Sequence, residues 1–441
     1  MGGYWRKVKW LAAFSWIIFF IGPYFQWGDR QAILFDIPHR QFHILGATIL
    51  PQDFWMLSLT LLFFALLLAV ATALAGRVFC GFFCFQTIWT DVFTWLEENL
   101  EGKPQKRRRL DKAPLSLSKI TAKTTKHLIW LLISVLTGIS FVAWFYDVFD
   151  LWRDLFILQA GSVAYGTIAL FTAGTYVLAG YMREQVCFWL CPYARIQGVM
   201  IDKTTVVPSY DFHRGEPRGR LRKGQSEEER TTGDCVDCKQ CIAVCPTGVD
   251  IRHGQQEGCI MCALCIDACD EVMGKIGRPK GLIRFESYEA LEANKKPQPL
   301  YKRARVWVYS AIMSLALFGI AYGFTALAPL ELKVIHDRQP LFVLQSDGSI
   351  QNKYTLKILN KMTTDITVTV RAEGPEGLVL VDEDLVTTAR RGKVTARTVF
   401  VRVPKPMLSA ETTPIVFSVQ GEHDNQMLQG SRQSVFIGPK R

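Results

Sequence analysis

Eight of the twelve cysteines lie in two runs that share one spacing, CxxCxxCxxxC. The members are Cys235, Cys238, Cys241 and Cys245, followed by Cys259, Cys262, Cys265 and Cys269. In a double run of this kind, three close thiolates bind one face of a 4Fe-4S cube and the fourth cysteine ligates the other cube. The spacing therefore predicts one cluster on Cys235, Cys238, Cys241 and Cys269, and a second on Cys259, Cys262, Cys265 and Cys245.

Two other uses of cysteine fit this spacing less well. A structural zinc ion takes four ligands, usually from CxxC pairs rather than from runs of four. Disulfides form in oxidising compartments, whereas crowded thiols of this kind are typical of soft-metal ligation in a reducing compartment. We therefore interpret the two runs as a double 4Fe-4S ferredoxin-like domain that transfers electrons.

The remaining four cysteines form two shorter pairs, Cys80 with Cys84 and Cys187 with Cys191. Residues four apart share one face of a helix, so two such pairs at one membrane boundary would offer four sulfurs to a soft metal. Free cysteine is also a common buried apolar residue, but two matched pairs favour a metal or redox role. A third iron–sulfur centre, a Cu(I) site and a dithiol relay all remain open.

Signals for other cofactors are absent from the sequence, which has no CxxCH, no GxGxxG after a strand and no GxxxxGK[ST]. None of the seven histidines lies in the middle of an apolar segment, so a b-type haem lacks axial ligands. His39 and His43 would present two imidazoles to copper if they lay on a helix, although polar loop surface is the commoner use of such a pair. No catalytic residue is identified.

Five apolar segments are long enough to cross a bilayer, which requires about 20 residues. They cover residues 10–27, 54–75, 127–145, 161–181 and 306–330. The first has a charged start but no small-x-small cleavage site, and its tryptophans, proline and tyrosine suit a retained membrane helix better than a signal peptide. The cysteine pairs follow the second and fourth segments.

Lysine and arginine are concentrated in two of the connecting segments. One carries Lys103, Lys106, Arg107, Arg108, Arg109, Lys112, Lys119, Lys123 and Lys126, and the other carries Arg214, Arg218, Arg220, Arg222 and Lys223 together with the ferredoxin cysteines. The positive-inside rule places these segments and the N-terminus in the cytoplasm, and five spans place residues 331–441 outside. Topology thus accounts for much of the net charge of +11, and we predict no nucleic-acid partner.

The last segment contains no cysteine and alternates apolar with polar residues over 354–359, 365–371, 398–403 and 414–419. Short alternating stretches separated by turn residues predict an all-β, immunoglobulin-like sandwich. The predicted fold is a multi-domain membrane protein with an α-helical bundle of five spans, an inserted α+β two-cluster ferredoxin-like domain and this sandwich. The predicted domains are 1–205 (spans one to four with the cysteine pairs), 206–300 (cytoplasmic ferredoxin), 301–330 (span five) and 331–441 (periplasmic sandwich).

This arrangement resembles one family over essentially the whole chain, the cytochrome oxidase accessory proteins CcoG, also called RdxA or FixG. The motifs that carry the resemblance are CGFFCFQTIWTDV (80–92), CPYARIQ (191–197), CIDACD (265–270) and NKYTLKILNK (352–361). One departure is Phe85, where the family commonly has proline, as Pro192 does in the second pair. Both sulfurs of the first pair are still present.

The resemblance implies a multi-pass protein of the bacterial inner membrane that helps to assemble cbb3-type cytochrome oxidase. It implies an oxidoreductase that reduces Cu(II) to Cu(I), with copper held by Cys80, Cys84, Cys187 and Cys191. The implied partners are oxidase assembly factors, copper carriers, a cytoplasmic electron donor and membrane lipid. Two alternatives remain open, namely a quinol-linked electron-transfer subunit similar to NapH and NosR, and an assembly scaffold with structural clusters.

Overall fold

The computed structural model describes residues 3–28, 30–45, 47–220, 232–295, 299–326, 328–362, 364–381, 385–408, 410–423 and 426–439. Arg222 and Lys223 of the predicted basic segment lie outside these ranges. The chain divides into two compact units. The first is Met1–Tyr24 with Ser58–Gly319, and the second is Phe25–Leu57 with Ile320–Arg441.

Four helices in the described part of the chain are long and apolar enough to cross a bilayer. They are Phe54–Ala75, Leu117–Val142, Ser162–Met182 and Ala304–Ala326. Each coincides with one of the predicted spans, and the chain is a membrane protein. The 22 residues of Phe54–Ala75 include no charged side chain, so this helix is apolar over a length that spans a bilayer.

The first predicted span is not one continuous helix. Helix Tyr4–Phe14 ends in a turn at Ser15 and Trp16, and a short helix, Ile17–Ile21, follows. The carboxylate of Asp267, in the ferredoxin region, accepts the backbone N–H groups of Trp5 (3.1 Å) and Arg6 (2.9 Å) and so caps the first helix. Five spans therefore remain a prediction.

The other helices of the first unit are short and connect the long ones. They are Val78–Phe82, Phe85–Leu100, Pro104–Lys112, Val148–Phe156, Pro192–Met200, Phe212–Gly215, Gln240–Ala243, Leu264–Lys275 and Tyr288–Glu292, with single tight turns at Gly22–Tyr24, Ile251–His253 and Leu300–Lys302. Two antiparallel strands, Val206–Tyr210 and Ile283–Ser287, join the two ends of the ferredoxin region. Its cysteines are thereby held between paired strands rather than on a free loop.

Buried acidic side chains form ion pairs with lysines of the basic segment after the second span. The Glu101 carboxylate forms one ion pair with Lys123 Nζ at 2.9 Å and a second with Lys126 Nζ at 2.9 Å. Burial raises the pKa of Glu101, but the bonds from these two lysines outweigh it, and the pKa lies below its usual value. Part of the positive charge that the positive-inside rule counts is therefore neutralised within the fold.

The second unit is built from antiparallel strands. One sheet pairs Val379–Leu380, Val394–Pro404, Ser349–Asn360 and Leu330–His336 in that order, with Val343–Leu344 also on Ser349–Asn360. The other pairs Val386–Ala389, Ile366–Glu373, Thr412–His423 and Gln426–Ile437. A smaller sheet, Ile33–Asp36, Gln41–Ile44 and Ala47–Ile49, and the pair Gln26–Trp27 with Arg30–Gln31 complete it, with tight turns at Pro51–Asp53 and Lys405–Met407.

One apolar core joins the two larger sheets and confirms the predicted all-β domain. It includes Leu356 and Val401 from one sheet and Val368 and Phe417 from the other, all fully buried. Tyr354 is also buried, and its hydroxyl donates to the carbonyl oxygen of Val435 at 2.8 Å. Alternating residues of each strand face this core, which is the pattern seen in the sequence.

Candidate iron–sulfur and membrane-edge metal sites

The first predicted cluster site brings together cysteines from both runs. Cys241 lies on helix Gln240–Ala243, and Cys269 lies on helix Leu264–Lys275. Burial, and then the nearby charges of Cys241, Asp270, Cys238 and Cys235, together raise the pKa of Cys269 to about 12. The structure thus groups the four residues that the spacing assigns to this cluster.

The second predicted cluster site is a cavity lined by Cys245, Cys259, Cys262 and Cys265. Burial raises the pKa of Cys265 well above its ordinary value, and Cys262, Cys259 and Cys245 contribute to the rise. Cys245, which belongs to the first run, is therefore placed with the second run, as the crossover rule requires.

The two cysteine loops have matched backbone geometry. Asp237 and Lys239 adopt positive φ angles of 47° and 58°, and Met261 and Ala263 adopt 59° and 60°. In each run, these two residues lie two and four positions after the first cysteine. Non-glycine residues adopt this region rarely, and such backbone strain is concentrated at ligand sites.

The donor sets fit iron–sulfur clusters. Buried thiols such as Cys241 and Cys259, whose pKa values burial raises to about 11, must lose a proton to ligate, and a soft cationic centre compensates for that charge. Among the described residues, no three histidine, cysteine or acidic side chains converge on a single metal ion. A cube does not need such convergence, because each sulfur binds a different iron atom.

The two short cysteine pairs lie where helical turns widen. Cys80 is on the short helix Val78–Phe82, and Cys187 is on the widened turn Val186–Leu190. The N–H of Cys84 donates to the carbonyl of Phe79 at 2.8 Å, and the N–H of Cys191 donates to that of Val186 at 2.9 Å. In both pairs the backbone N–H of the second cysteine donates to the carbonyl five residues earlier. The first cysteine is the residue directly after that acceptor. The predicted i, i+4 helix face is thus wrong in detail, since Cys84 and Cys191 are already extended.

Cys84 and Cys191 each occupy the N-cap position of the next helix, Phe85–Leu100 and Pro192–Met200. A helix N-terminus carries partial positive charge, which stabilises a thiolate. Phe85 and Pro192 both begin a helix, so phenylalanine in place of proline leaves the local geometry of the first pair intact.

The four sulfurs of these pairs share one neighbourhood, which we call the membrane-edge site. Burial, and then charges on Cys84, Cys187 and Cys191, together raise the pKa of Cys80 to about 12. Burial likewise raises the pKa of Cys187 to about 11, with contributions from Cys84 and Cys191. The tertiary structure therefore assembles two distant pairs into one thiol-rich site.

The membrane-edge site contacts the second cluster site directly. Cys80, Ile260 and Cys262 form one buried apolar cluster. A Cβ atom on Gly81 would lie 2.7 Å from the carbonyl oxygen of Ile260 and 3.0 Å from the amide nitrogen of Cys262. Glycine at this position therefore allows the turn carrying Cys80 to pack against the loop carrying Cys262.

Exposure differs between the two cluster sites. Cys238 of the first is exposed, whereas Cys262 of the second is buried beside Cys80. The first cluster site is therefore open to solvent at Cys238, and the second lies next to the membrane-edge site.

Sequence reasoning missed three residues around these sites. Lys9 is 5% exposed, and its ammonium lies 2.5 Å from the carboxylate of Asp91 and close enough to Cys262 to act on its charge. Gln197 is fully buried against Cys80, and Gly81 provides the close approach. Gln197 and Gly81 lie within the motifs quoted above, but only contacts with distant parts of the chain give them a role.

The copper pair of His39 and His43, the less common of the two uses considered from the sequence, does not form. His39 is exposed in a turn, where its Nδ1 lies 2.8 Å from an Asp36 oxygen, and His43 is buried on strand Gln41–Ile44 with Nδ1 2.9 Å from Arg30. The condition for a copper pair, a shared helix, is not met.

Comparison with known families agrees with this division of the chain. A model described as a 4Fe-4S dicluster domain matches residues 182–288, and another described as a 4Fe-4S binding domain matches 57–105. A third, described as an IG-like fold at the C-terminal of FixG, matches 320–439. The membrane-edge cysteines fall within the first two.

Three curated proteins show the extent of the similarity. Nitrogen fixation protein FixG of Rhizobium meliloti is 39% identical, with 91% of this chain and 85% of that protein covered. Protein RdxA of Cereibacter sphaeroides is 40% identical over 86% of this chain and 82% of that protein. Ferredoxin-type protein NapH of Escherichia coli is 27% identical over 56% of this chain and 90% of that protein.

Proposed function

The chain belongs to the FixG/RdxA family of membrane iron–sulfur electron-transfer proteins, and from this premise we propose that it supplies electrons for the assembly of cbb3-type cytochrome oxidase by reducing Cu(II) to Cu(I). The observation that carries the proposal is the buried apolar cluster of Cys80, Ile260 and Cys262, which joins a ferredoxin site to the membrane-edge site. Copper is the substrate in this scheme. Cu(I) is the soft form that thiolates prefer.

The residues provide the route and the acceptor site. A bound 4Fe-4S cluster supplies one electron at a time, and one electron converts one Cu(II) to Cu(I). Apolar packing of Ile260 against Cys80 keeps water out of the junction. Copper would bind among the sulfurs of Cys80, Cys84, Cys187 and Cys191 while it is reduced, although these sulfurs do not converge on a single point in the described structure.

Contacts within the first unit support five crossings. Helix Tyr4–Phe14 begins on Asp267 in the ferredoxin region. At the other end of this segment, the hydroxyl of Tyr24 accepts from Trp152 Nε1 at 2.7 Å, in the connection between the third and fourth spans. We propose that the broken segment crosses the membrane, with the N-terminus and ferredoxin region in the cytoplasm and the β domain in the periplasm.

The first test is an anaerobic single turnover of the reduced, full-length protein with Cu(II). We expect cluster oxidation to match the Cu(I) captured by a chelator, because the electron count is one to one. Replacing Cys80 and Cys84 by serine should abolish Cu(I) formation while the iron of the ferredoxin region is retained. Unchanged Cu(I) formation by this variant would show that copper is reduced elsewhere.

A cavity favours one alternative, quinol-linked electron transfer of the kind suggested by similarity to NapH. Its volume is about 240 Å³, and it lies between the second and fifth spans. Val70, Leu74 and Val306 make it apolar, and Arg303 and Tyr309 add polar groups, so it suits an amphipathic molecule. Oxidation of the reduced protein by a short-chain quinone, but not by Cu(II), would favour this function over copper reduction.

The scaffold alternative makes a different prediction. If the clusters are structural, replacing Cys238 by serine should affect oxidase assembly only as far as it affects folding. A Cys238→Ser protein that is folded and membrane-inserted but inactive in assembly would exclude the scaffold.

A further inference from the structure

A fully buried amide lies beside the membrane-edge site. Gln197 is 0% exposed, and its Oε1 accepts a hydrogen bond from the Cys80 thiol at 3.0 Å. Its Nε2 donates to Thr72 Oγ1 at 3.1 Å, and Thr72 Oγ1 donates to the carbonyl of Leu68 at 2.7 Å. This chain of hydrogen bonds connects Cys80 to the helix of the second span.

A further polar atom in this group has no partner. The Tyr193 hydroxyl is buried beside Thr72 and Gln197, yet it makes no hydrogen bond of good geometry among the described residues. Buried polar groups are nearly always hydrogen-bonded, and an orphan calls for an explanation such as a second state of the site. A leucine or methionine would fill the space of Gln197 without needing partners, so packing alone does not explain the amide.

When the site binds a metal, Cys80 changes from a hydrogen-bond donor to a hydrogen-bond acceptor. A ligating cysteine is a thiolate, which accepts hydrogen bonds but has no proton to donate. The Gln197 oxygen, which faces Cys80 in the thiol form, would then be repelled. Rotation of the amide by half a turn would instead direct Nε2–H to the sulfur and Oε1 to the hydroxyls of Thr72 and Tyr193.

We propose that Gln197 is a positioning residue that donates an N–H···S hydrogen bond to the Cys80 thiolate in the metal-loaded membrane-edge site and raises the reduction potential of the bound centre. This rests on the proposed function only in requiring a thiolate-bound redox centre there, iron–sulfur or copper. After rotation the amide oxygen of Gln197 would accept a hydrogen bond from the Tyr193 hydroxyl, which has no partner among the described residues while Cys80 is a thiol. Hydrogen bonds to ligand sulfurs stabilise the more negative, reduced state and are an established means of tuning potentials.

The test is a redox titration of purified, full-length Gln197→Met, followed by electron paramagnetic resonance with iron and copper analysis. Methionine matches the length of glutamine but cannot donate. We expect about tenfold fewer reduced membrane-edge centres at a fixed ambient potential, equivalent to about 59 mV for a one-electron couple. Both ferredoxin clusters should keep their potentials, because Gln197 bonds neither.

Two further variants keep the proposal falsifiable if Gln197→Met loses its metal. Thr72→Val and Tyr193→Phe leave the amide in place but remove a partner of its rotated oxygen, so each should lower the same potential by a smaller amount. A matched control is Gln86→Met, because the Gln86 amide follows the first pair yet donates to the carbonyls of Leu178 and Arg183 rather than to sulfur.

The outcomes separate the two proposals. A lower potential for the membrane-edge centre alone, with unchanged metal content, supports the role of Gln197. An unchanged potential in Gln197→Met and Thr72→Val, both with full metal content, overturns it and leaves the proposed function standing. Wild-type protein with the same metal content as a Cys80→Ser, Cys187→Ser variant would overturn the role of Gln197 alone, because copper is a substrate in the proposed function and need not stay bound.

Discussion

Burial decides what individual side chains can do in this protein. Cys262 is buried with Cys80 and Ile260, whereas Cys238 is exposed, so two cysteines at the same position of their runs lie in different environments. The same applies to Lys9 and Asp91, whose 2.5 Å ion pair is mostly removed from water. A charge held there acts on the nearby Cys262 more strongly than it would in solvent.

His43 makes the second unit sensitive to acid. Burial, and then the charge of Arg30, lowers its pKa to about 4, against an opposing effect of Asp36. Below about pH 6.5 the unfolded chain binds a proton that the folded chain takes up only near pH 4, so stability falls as the pH falls through this window. We expect a loss of at most about 3 kcal/mol in opening free energy around strand Gln41–Ile44.

Hydrogen exchange of that strand in the full-length protein, between pH 7 and 4, measures this loss after correction for intrinsic exchange rates. His43→Gln should flatten the pH dependence. His39→Gln is the matched control, because His39 is in the same hairpin but is exposed, and it should behave as wild type. Equal pH dependence in wild type and His43→Gln would contradict the assignment.

At the scale of elements, the repeated widened turn is the feature that shapes the membrane-edge site. Each turn follows one long helix, carries its first cysteine and leads into a new helix whose N-cap is its second cysteine. Such wide turns are rare and are concentrated at functional sites. Here they allow the chain to change direction between the two sulfurs, which a straight α-helix would not.

Gly81→Val tests the contact between the Cys80 turn and the ferredoxin loop. The added side chain would overlap the backbone of Ile260 and Cys262, so we expect about 1–3 kcal/mol of destabilisation and slower electron delivery to the membrane-edge site. Gly166→Val is the matched control, because a Cβ atom there meets nothing within 4 Å. Stopped-flow oxidation by Cu(II) compares the variants, and equal rates for Gly81→Val and wild type would exclude this route.

At the scale of the whole molecule, the question is how often the chain crosses the membrane. Tyr4–Tyr24 contacts Asp267 at one end and Trp152 at the other, although its helix is broken. The sequence predicted one continuous span here, but neither of the two helices alone is long enough to span a bilayer. Packing of the segment against other spans can satisfy its broken backbone within the membrane.

Alkaline phosphatase fusions, which are active only outside the cytoplasm, test the topology. We expect activity for fusions after Trp27, Gln159 and the C-terminus, and none after Lys112 or Lys295, because the lysine- and arginine-rich segments stay inside. The fusion after Trp27 is decisive for the first segment. Inactivity there, with the fusion after Gln159 active, would leave four crossings.

Much of the protein follows from sequence alone because the signals are local. Cysteine spacing indicates iron–sulfur domains, continuous apolar stretches gave four long helices, and period-two alternation gave the sandwich. These patterns depend on residues close together in the chain, where covalent connection already restricts the geometry.

Only the tertiary structure decided which distant groups meet. It placed Cys80 beside Cys262, buried Gln197 against Cys80 and separated His43 from His39. It also replaced one predicted helix by two and a regular cysteine face by widened turns. The contacts of Cys80 with Cys262 and Gln197 depend on packing between segments more than a hundred residues apart, whose contact free energies local pattern and propensity do not encode. The His43 environment is set within its own hairpin, where the strand buries the ring beside Arg30.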